Sequence, residues 1–115
     1  MSTRGTRVAF ADAAILDAYN QLSSGKFEEQ RLAGHIRGAI DALTRDPFSG
    51  VAVPKRLWPK RYVHEFVVDN LRKVDLPDGW RLIYTLLGND VEILSIILEW
   101  FSHKDYEKRF GYRVR

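Results

Sequence analysis

Positions 6–10 (Thr, Arg, Val, Ala, Phe), with Thr6, Val8 and Phe10 falling on one side at a period of two, suit a short first strand. After Asp12 the spacing becomes helical. Ile15, Tyr19 and Leu22 fall on one stripe, Asp12 is a good N-cap, and Ser23-Ser24-Gly25 makes a stop. A second helix starts near Phe27. Its Leu32, Ile36, Ile40 and Leu43 form one continuous face, and Pro47 ends it. The short link predicts that the two helices form an antiparallel hairpin. Gly34 and Gly38 lie four apart on the second helix. Glycine weakens a helix, so the pair predicts close approach of a neighbouring backbone.

Residues 47–66 read as irregular. Prolines 47, 54 and 59 oppose regular structure, although a helical turn after Pro59 is compatible with the sequence. From Asn70 the pattern is β. Over residues 80–87, Leu82, Tyr84 and Leu86 share one face and Arg81, Ile83 and Thr85 the other. Gly88-Asn89-Asp90 is a tight-turn signal, and residues 91–100 are apolar on both faces, as a central strand would be. Ser102 caps a last helix over residues 103–110. The expected fold is α+β, in the order β-α-α-β-β-β-α: an N-terminal strand, a helical hairpin, a small antiparallel sheet and a C-terminal helix. The sheet is expected to be covered on one face, with Arg81 directed to the open one.

Composition narrows the classes. At 115 residues, 45% hydrophobic and 29% charged, the chain suits a single globular domain over residues 1–115. It contains no cysteine, which excludes disulfide and thiolate chemistry and agrees with a reducing cytoplasm. Neither a leader-like apolar stretch nor a run long enough to span a bilayer is present, so a cytoplasmic protein without membrane contact is expected. Charge is arranged in blocks. Residues 1–50 balance six basic against six acidic groups; 51–73 carry net +4, 74–102 net −4 and 103–115 net +3. Basic blocks flanking an acidic sheet segment favour an anionic partner such as RNA, or simply keep the surface solvated.

With this order of elements, Gly79-Trp80-Arg81-Leu82-Ile83-Tyr84 resembles the GYRLVY-type strand of the RelE/ParE toxin superfamily. The segment Ser102-His103-Lys104-Asp105-Tyr106, after a hydrophobic last strand, is similar to that family's C-terminal motif. The resemblance runs from Val8 to Phe110, with residues 47–69 as an insertion. It implies a type II toxin–antitoxin toxin. RelE-like members cut mRNA on the ribosome without a metal, the ribose 2′-hydroxyl attacking the adjacent phosphate. ParE-like members poison DNA gyrase by binding, and a cognate antitoxin inhibits either kind. The RelE-like branch is favoured; the alternative is a ParE-like or degenerate toxin that acts by protein binding alone.

The resemblance implies catalytic roles for Arg81, His103 and Tyr106. A guanidinium binds two phosphate oxygens and stays charged. An imidazole moves a proton near neutral pH. Tyr106 lies one turn beyond His103, where it could stack on a base or give a proton. Arg81 could instead form an ion pair with Asp75, Asp78 or Glu99. Of Arg72 and Lys73, alternation lets only one face the active side. Lys55, Arg56, Lys60 and Arg61, interleaved with Trp58 and Tyr62, form a basic aromatic run suited to an RNA backbone, and Lys104 adds a further contact. Asp78 reads as part of an Asp-Gly turn. His35 and His64 read as structural. The histidines lack metal-ligand spacing, so no metal or other cofactor is expected. Glu99 and Trp100 stand where nuclease members often carry an arginine, a reversal of charge.

Overall fold

The computed structural model describes residues 4–111. Five strands form one sheet in the order β1-β5-β4-β3-β2. β4 (Arg81–Gly88) pairs antiparallel with β5 (Glu92–Phe101) and with β3 (Leu71–Asp75), and the two-residue β2 (Val51–Ala52) pairs antiparallel with β3. β1 (Gly5–Phe10) lies parallel to β5, so the sheet is mixed rather than antiparallel throughout. The α+β class stands; that pairing makes the sheet mixed, and β2 adds a fifth strand to the four expected. Arg113 and Arg115 of the C-terminal basic block lie outside the described residues.

The helical hairpin forms as its caps predict. α1 (Ala13–Ser23) starts where the Asp12 carboxylate accepts a hydrogen bond from Ile15 N at 3.0 Å. α2 (Phe27–Arg45) starts where the Glu29 carboxylate accepts from Lys26 N at 2.8 Å. α2 buries Leu32, Ile36, Ala39 and Leu43 against Leu82, Tyr84, Leu86, Ile93 and Ile97 of the sheet. α1 buries no residue fully; Tyr19 and Leu22 only flank that core. Gly34 and Gly38 are exposed, and a Cβ added at either would meet nothing within 4 Å. The expected close approach is absent: both glycines face solvent.

The second face of the sheet is not left open. The 47–66 segment supplies β2, a 3₁₀ turn at Lys55–Leu57 and α3 (Lys60–Glu65). Pro54 and Pro59 stand at the N-cap positions of the last two, where a missing N–H costs nothing, so these prolines start structure instead of preventing it. Together with α4 (His103–Phe110), the segment packs Val53, Tyr62, Tyr106 and Phe110 over Leu71, Ile83, Leu98 and Phe101. The sheet is thus a middle layer with helices on both sides.

Two local features aim the side chains that matter. The β4–β5 ladder slips by one residue between Ile83, opposite Glu99, and Tyr84, opposite Ile97. Ile93 and Ile97 face α2, while Leu98 and Phe101 face α4, so the slip turns the end of β5 over. The other feature is Tyr84, fully buried, whose hydroxyl donates to Pro47 O at 2.7 Å and accepts from Gly50 N and Arg72 Nε, each at 3.2 Å. Gly50 has no room for a side chain: an added Cβ would lie 2.6 Å from both Lys73 O and the Tyr84 hydroxyl.

Candidate functional site

β3 and β4 are joined through a short turn (Pro77–Gly79) that sets Asp75 directly opposite Arg81. Asp78 takes the left-handed conformation in that turn (φ 65°), and its carboxylate lies 3.1 Å from both Arg31 Nε and His35 Nε2 of α2. Asp78 is therefore a turn residue fastened to the helical hairpin, and His35 is its structural partner.

Arg81, with its side chain only 18% exposed, is held on every side. Nη1 donates to Gly79 O at 3.0 Å and Trp80 O at 3.3 Å. Nε lies 2.9 Å from Asp75 Oδ1, close enough for an ion pair but outside good hydrogen-bond alignment. Nη2 lies 3.2 Å from His103 Nδ1. An arginine only donates, so Nδ1 accepts, and the neutral ring carries its proton on Nε2. That Nε2 lies 3.4 Å from Glu107 Oε2, one turn along α4.

Lys73 completes the cluster. Its ammonium is 2.8 Å from the same Asp75 oxygen. Lys73 Nζ and Arg81 Cζ lie 5.9 Å and 5.7 Å from the centre of the Tyr106 ring, within cation–π range. The Tyr106 ring is 4% exposed and stacks on Phe110 at 4.7 Å. It lies beneath the cations and is not open to a stacking base. The Lys73 hydrogen bond and the two cations hold the Asp75 carboxyl below the usual carboxylate range, against a smaller opposing effect of burial.

Arg72 points the other way. Besides Tyr84, it donates to Phe48 O at 3.2 Å and Gly50 O at 2.6 Å, tying the 47–50 loop to the sheet. Lys73 is thus the member of that pair on the Arg81 side. Lys55, Arg56 and Lys60 are exposed; Lys55 lies over the Trp58 ring at 5.9 Å, and with Lys60, Val63 and His64 they line a shallow cleft of about 440 Å³. Lys104 is exposed on the first turn of α4.

Arg61 has a different task. It bonds Glu65 at 3.3 Å and makes a close ion pair with Glu99, whose other oxygen accepts from Arg109 at 3.2 Å. Glu99 therefore belongs to α3 and α4, and Arg81 takes Asp75 instead. Burial raises the Glu99 carboxyl above its ordinary range, with Arg61 and Arg109 opposing. Burial, then the Glu99 charge, pushes the Tyr62 phenol up as well.

The sequence offered Asp75 as one of several partners for Arg81 but gave no reason to choose it. The length of the β3–β4 turn, which fixes the register, was the available signal. Glu107 was not foreseen; its place four residues after His103 was the signal that could have found it. Among the described residues, no group of three or more His, Asp or Glu side chains is arranged to hold a metal ion, and no helix is long and apolar enough to cross a membrane. No protein-family model, curated protein or solved structure matches the chain.

Proposed function

We propose that this protein is a RelE-like toxin of a type II toxin–antitoxin system: a metal-independent endoribonuclease that cuts translated mRNA in the cytoplasm and is held in check by a cognate antitoxin. The observation that carries this reading is the convergence of Lys73, Arg81 and His103, with Arg81 Nη2 3.2 Å from His103 Nδ1. It brings two cations for a crowded phosphate beside one group able to move a proton.

In this reading Arg81 and Lys73 bind the non-bridging oxygens of the scissile phosphate. Phosphate engaging Arg81 Nη2 draws it off His103 Nδ1, which takes the 2′-hydroxyl proton as the 2′-oxygen bonds to phosphorus. The P–O5′ bond breaks, leaving a 2′,3′-cyclic phosphate, and the departing 5′-oxygen takes a proton from water. Tyr106 acts as a positioning residue beneath the cations. The exposed Lys55, Arg56, Lys60 and Lys104 add non-specific backbone contact. The expected result is codon-phased cleavage of mRNA in a translating extract, abolished by Arg81→Ala and His103→Ala in proteins that remain folded. Intact mRNA at high protein concentration, or full cutting by both variants, would overturn it.

A second reading, a ParE-like or degenerate toxin acting by binding alone, is favoured by one observation: Asp75 already engages both cations. Gyrase inhibition without mRNA cleavage would select it.

A further inference from the structure

We infer that Asp75 is an internal substitute for a ligand phosphate: it occupies Lys73 and Arg81 in the free protein and is displaced when a phosphate group binds. The inference rests on the phosphate-site reading of this cluster.

The geometry supports it in three ways. First, one oxygen, Asp75 Oδ1, lies 2.8 Å from Lys73 Nζ and 2.9 Å from Arg81 Nε. A single phosphate oxygen makes the same bridge, and a phosphate group offers further oxygens to Nη2. Second, exposure is unequal: the Asp75 side chain is 59% exposed, against 20% for Lys73 and 18% for Arg81. The carboxylate is on the solvent side of its cations, where an incoming anion would arrive. Third, the cations have contacts besides Asp75: Arg81 Nη1 donates to Gly79 O and Trp80 O, and both Lys73 and Arg81 lie over the Tyr106 ring. Asp75 is the last residue of β3, so it can turn away without breaking the ladder behind it. Glu107, the other acid of the cluster, is engaged with His103.

Asp75 thus sets the affinity threshold of the site. A weak or isolated anion does not displace a carboxylate already in place; a chain of phosphates, with several contacts at once, does.

The test measures binding of two probes at low salt, inorganic phosphate and a 2′-deoxy oligonucleotide that cannot be cut. Asp75→Asn keeps the side chain's shape and removes its charge. It is expected to tighten binding by roughly fivefold to tenfold. Tightening of both probes assigns the site to phosphate in general; tightening of the oligonucleotide alone assigns it to a backbone phosphodiester. Either gain must vanish in the Asp75→Asn/Arg81→Ala double variant. Unchanged or weaker binding by Asp75→Asn, or a gain that survives loss of Arg81, would overturn the inference. The unmodified protein gives a second measurement. The 2′-deoxy oligonucleotide at saturation should shift the NMR signals of Arg81 Nε–Hε and the Asp75 carboxyl carbon, and silence of both would also overturn it. Neither probe is cleaved, so failure of the nuclease reading leaves these results standing.

Discussion

Two arginine–carboxylate clusters flank the aromatic group of Phe101, Tyr106 and Phe110, and they are built in opposite senses. Around Arg81 the cation is sheltered (18% exposed) and its acid, Asp75, lies outside (59%). Around Glu99 the acid is sheltered (14%) and its arginines, Arg61 and Arg109, lie outside (40% and 35%). The composition of the two is similar, but the buried sign is reversed. A sheltered cation with a removable acid can accept an anion from solvent. A sheltered acid clamped by two arginines offers an anion nothing, and instead fastens α3 and α4 to the end of β5. Equal counts of charged residues therefore say little about which cluster is a site; the sign of the inner charge says more.

The largest expected difference is in activity. Arg81→Ala should lower mRNA cleavage by about a hundredfold or more in a protein that stays folded, with a modest fall in melting temperature from the lost bonds to Gly79 O and Trp80 O. Arg109→Ala should do the converse, leaving cleavage intact and lowering the melt. Equal loss of cleavage in both would erase the distinction. Next in size is the Arg61→Ala/Arg109→Ala double variant, which strips Glu99 of both its arginines. It should cost roughly 2–3 kcal/mol in urea unfolding, less than for a fully buried pair because the arginines are part-exposed.

Smaller effects appear in the pH dependence of stability. The depressed Asp75 pKa contributes stability above the ordinary carboxylate range, lost as pH falls through the folded value. The raised Glu99 pKa acts with the opposite sign: its penalty is present near neutrality and is relieved as pH falls. Asp75→Asn should therefore flatten the loss of stability below about pH 4, and Glu99→Gln should steepen it, in thermal melts from pH 7 to 3. Parallel curves would contradict the assignment of the two signs. The smallest effect serves as a reference remote from both clusters: Gly38→Ala, on the exposed side of α2, should stabilise by about 0.5–1 kcal/mol and leave cleavage unchanged.

What was legible in the sequence was local. The alternation in β4 correctly set Leu82, Tyr84 and Leu86 toward one core and Ile83 toward the other, because a period of two needs no knowledge of partners. Caps at Asp12 and Ser102 were legible for the same reason. Continuing that alternation along β5 would give Glu99 the same face as Ile97. The one-residue slip against β4 turns it to Arg61 and Arg109, and a slip is a property of two strands together. Arg72 and Lys73 were equivalent until Tyr84 and Gly50 fixed which face each takes. Gly34 and Gly38 announced a weakness in α2 but not its cause, and no neighbour accounts for them.

The parallel pairing of β1 with β5 has a consequence in time. Gly5 lies opposite Glu92, so β1 finds its place only after β5, far along the chain, has been made. α4, which brings His103 to Arg81, follows later still. A growing polypeptide that has already made Lys73, Asp75 and Arg81 holds no proton-moving group beside them. The cluster is thus completed by the last described helix to be translated.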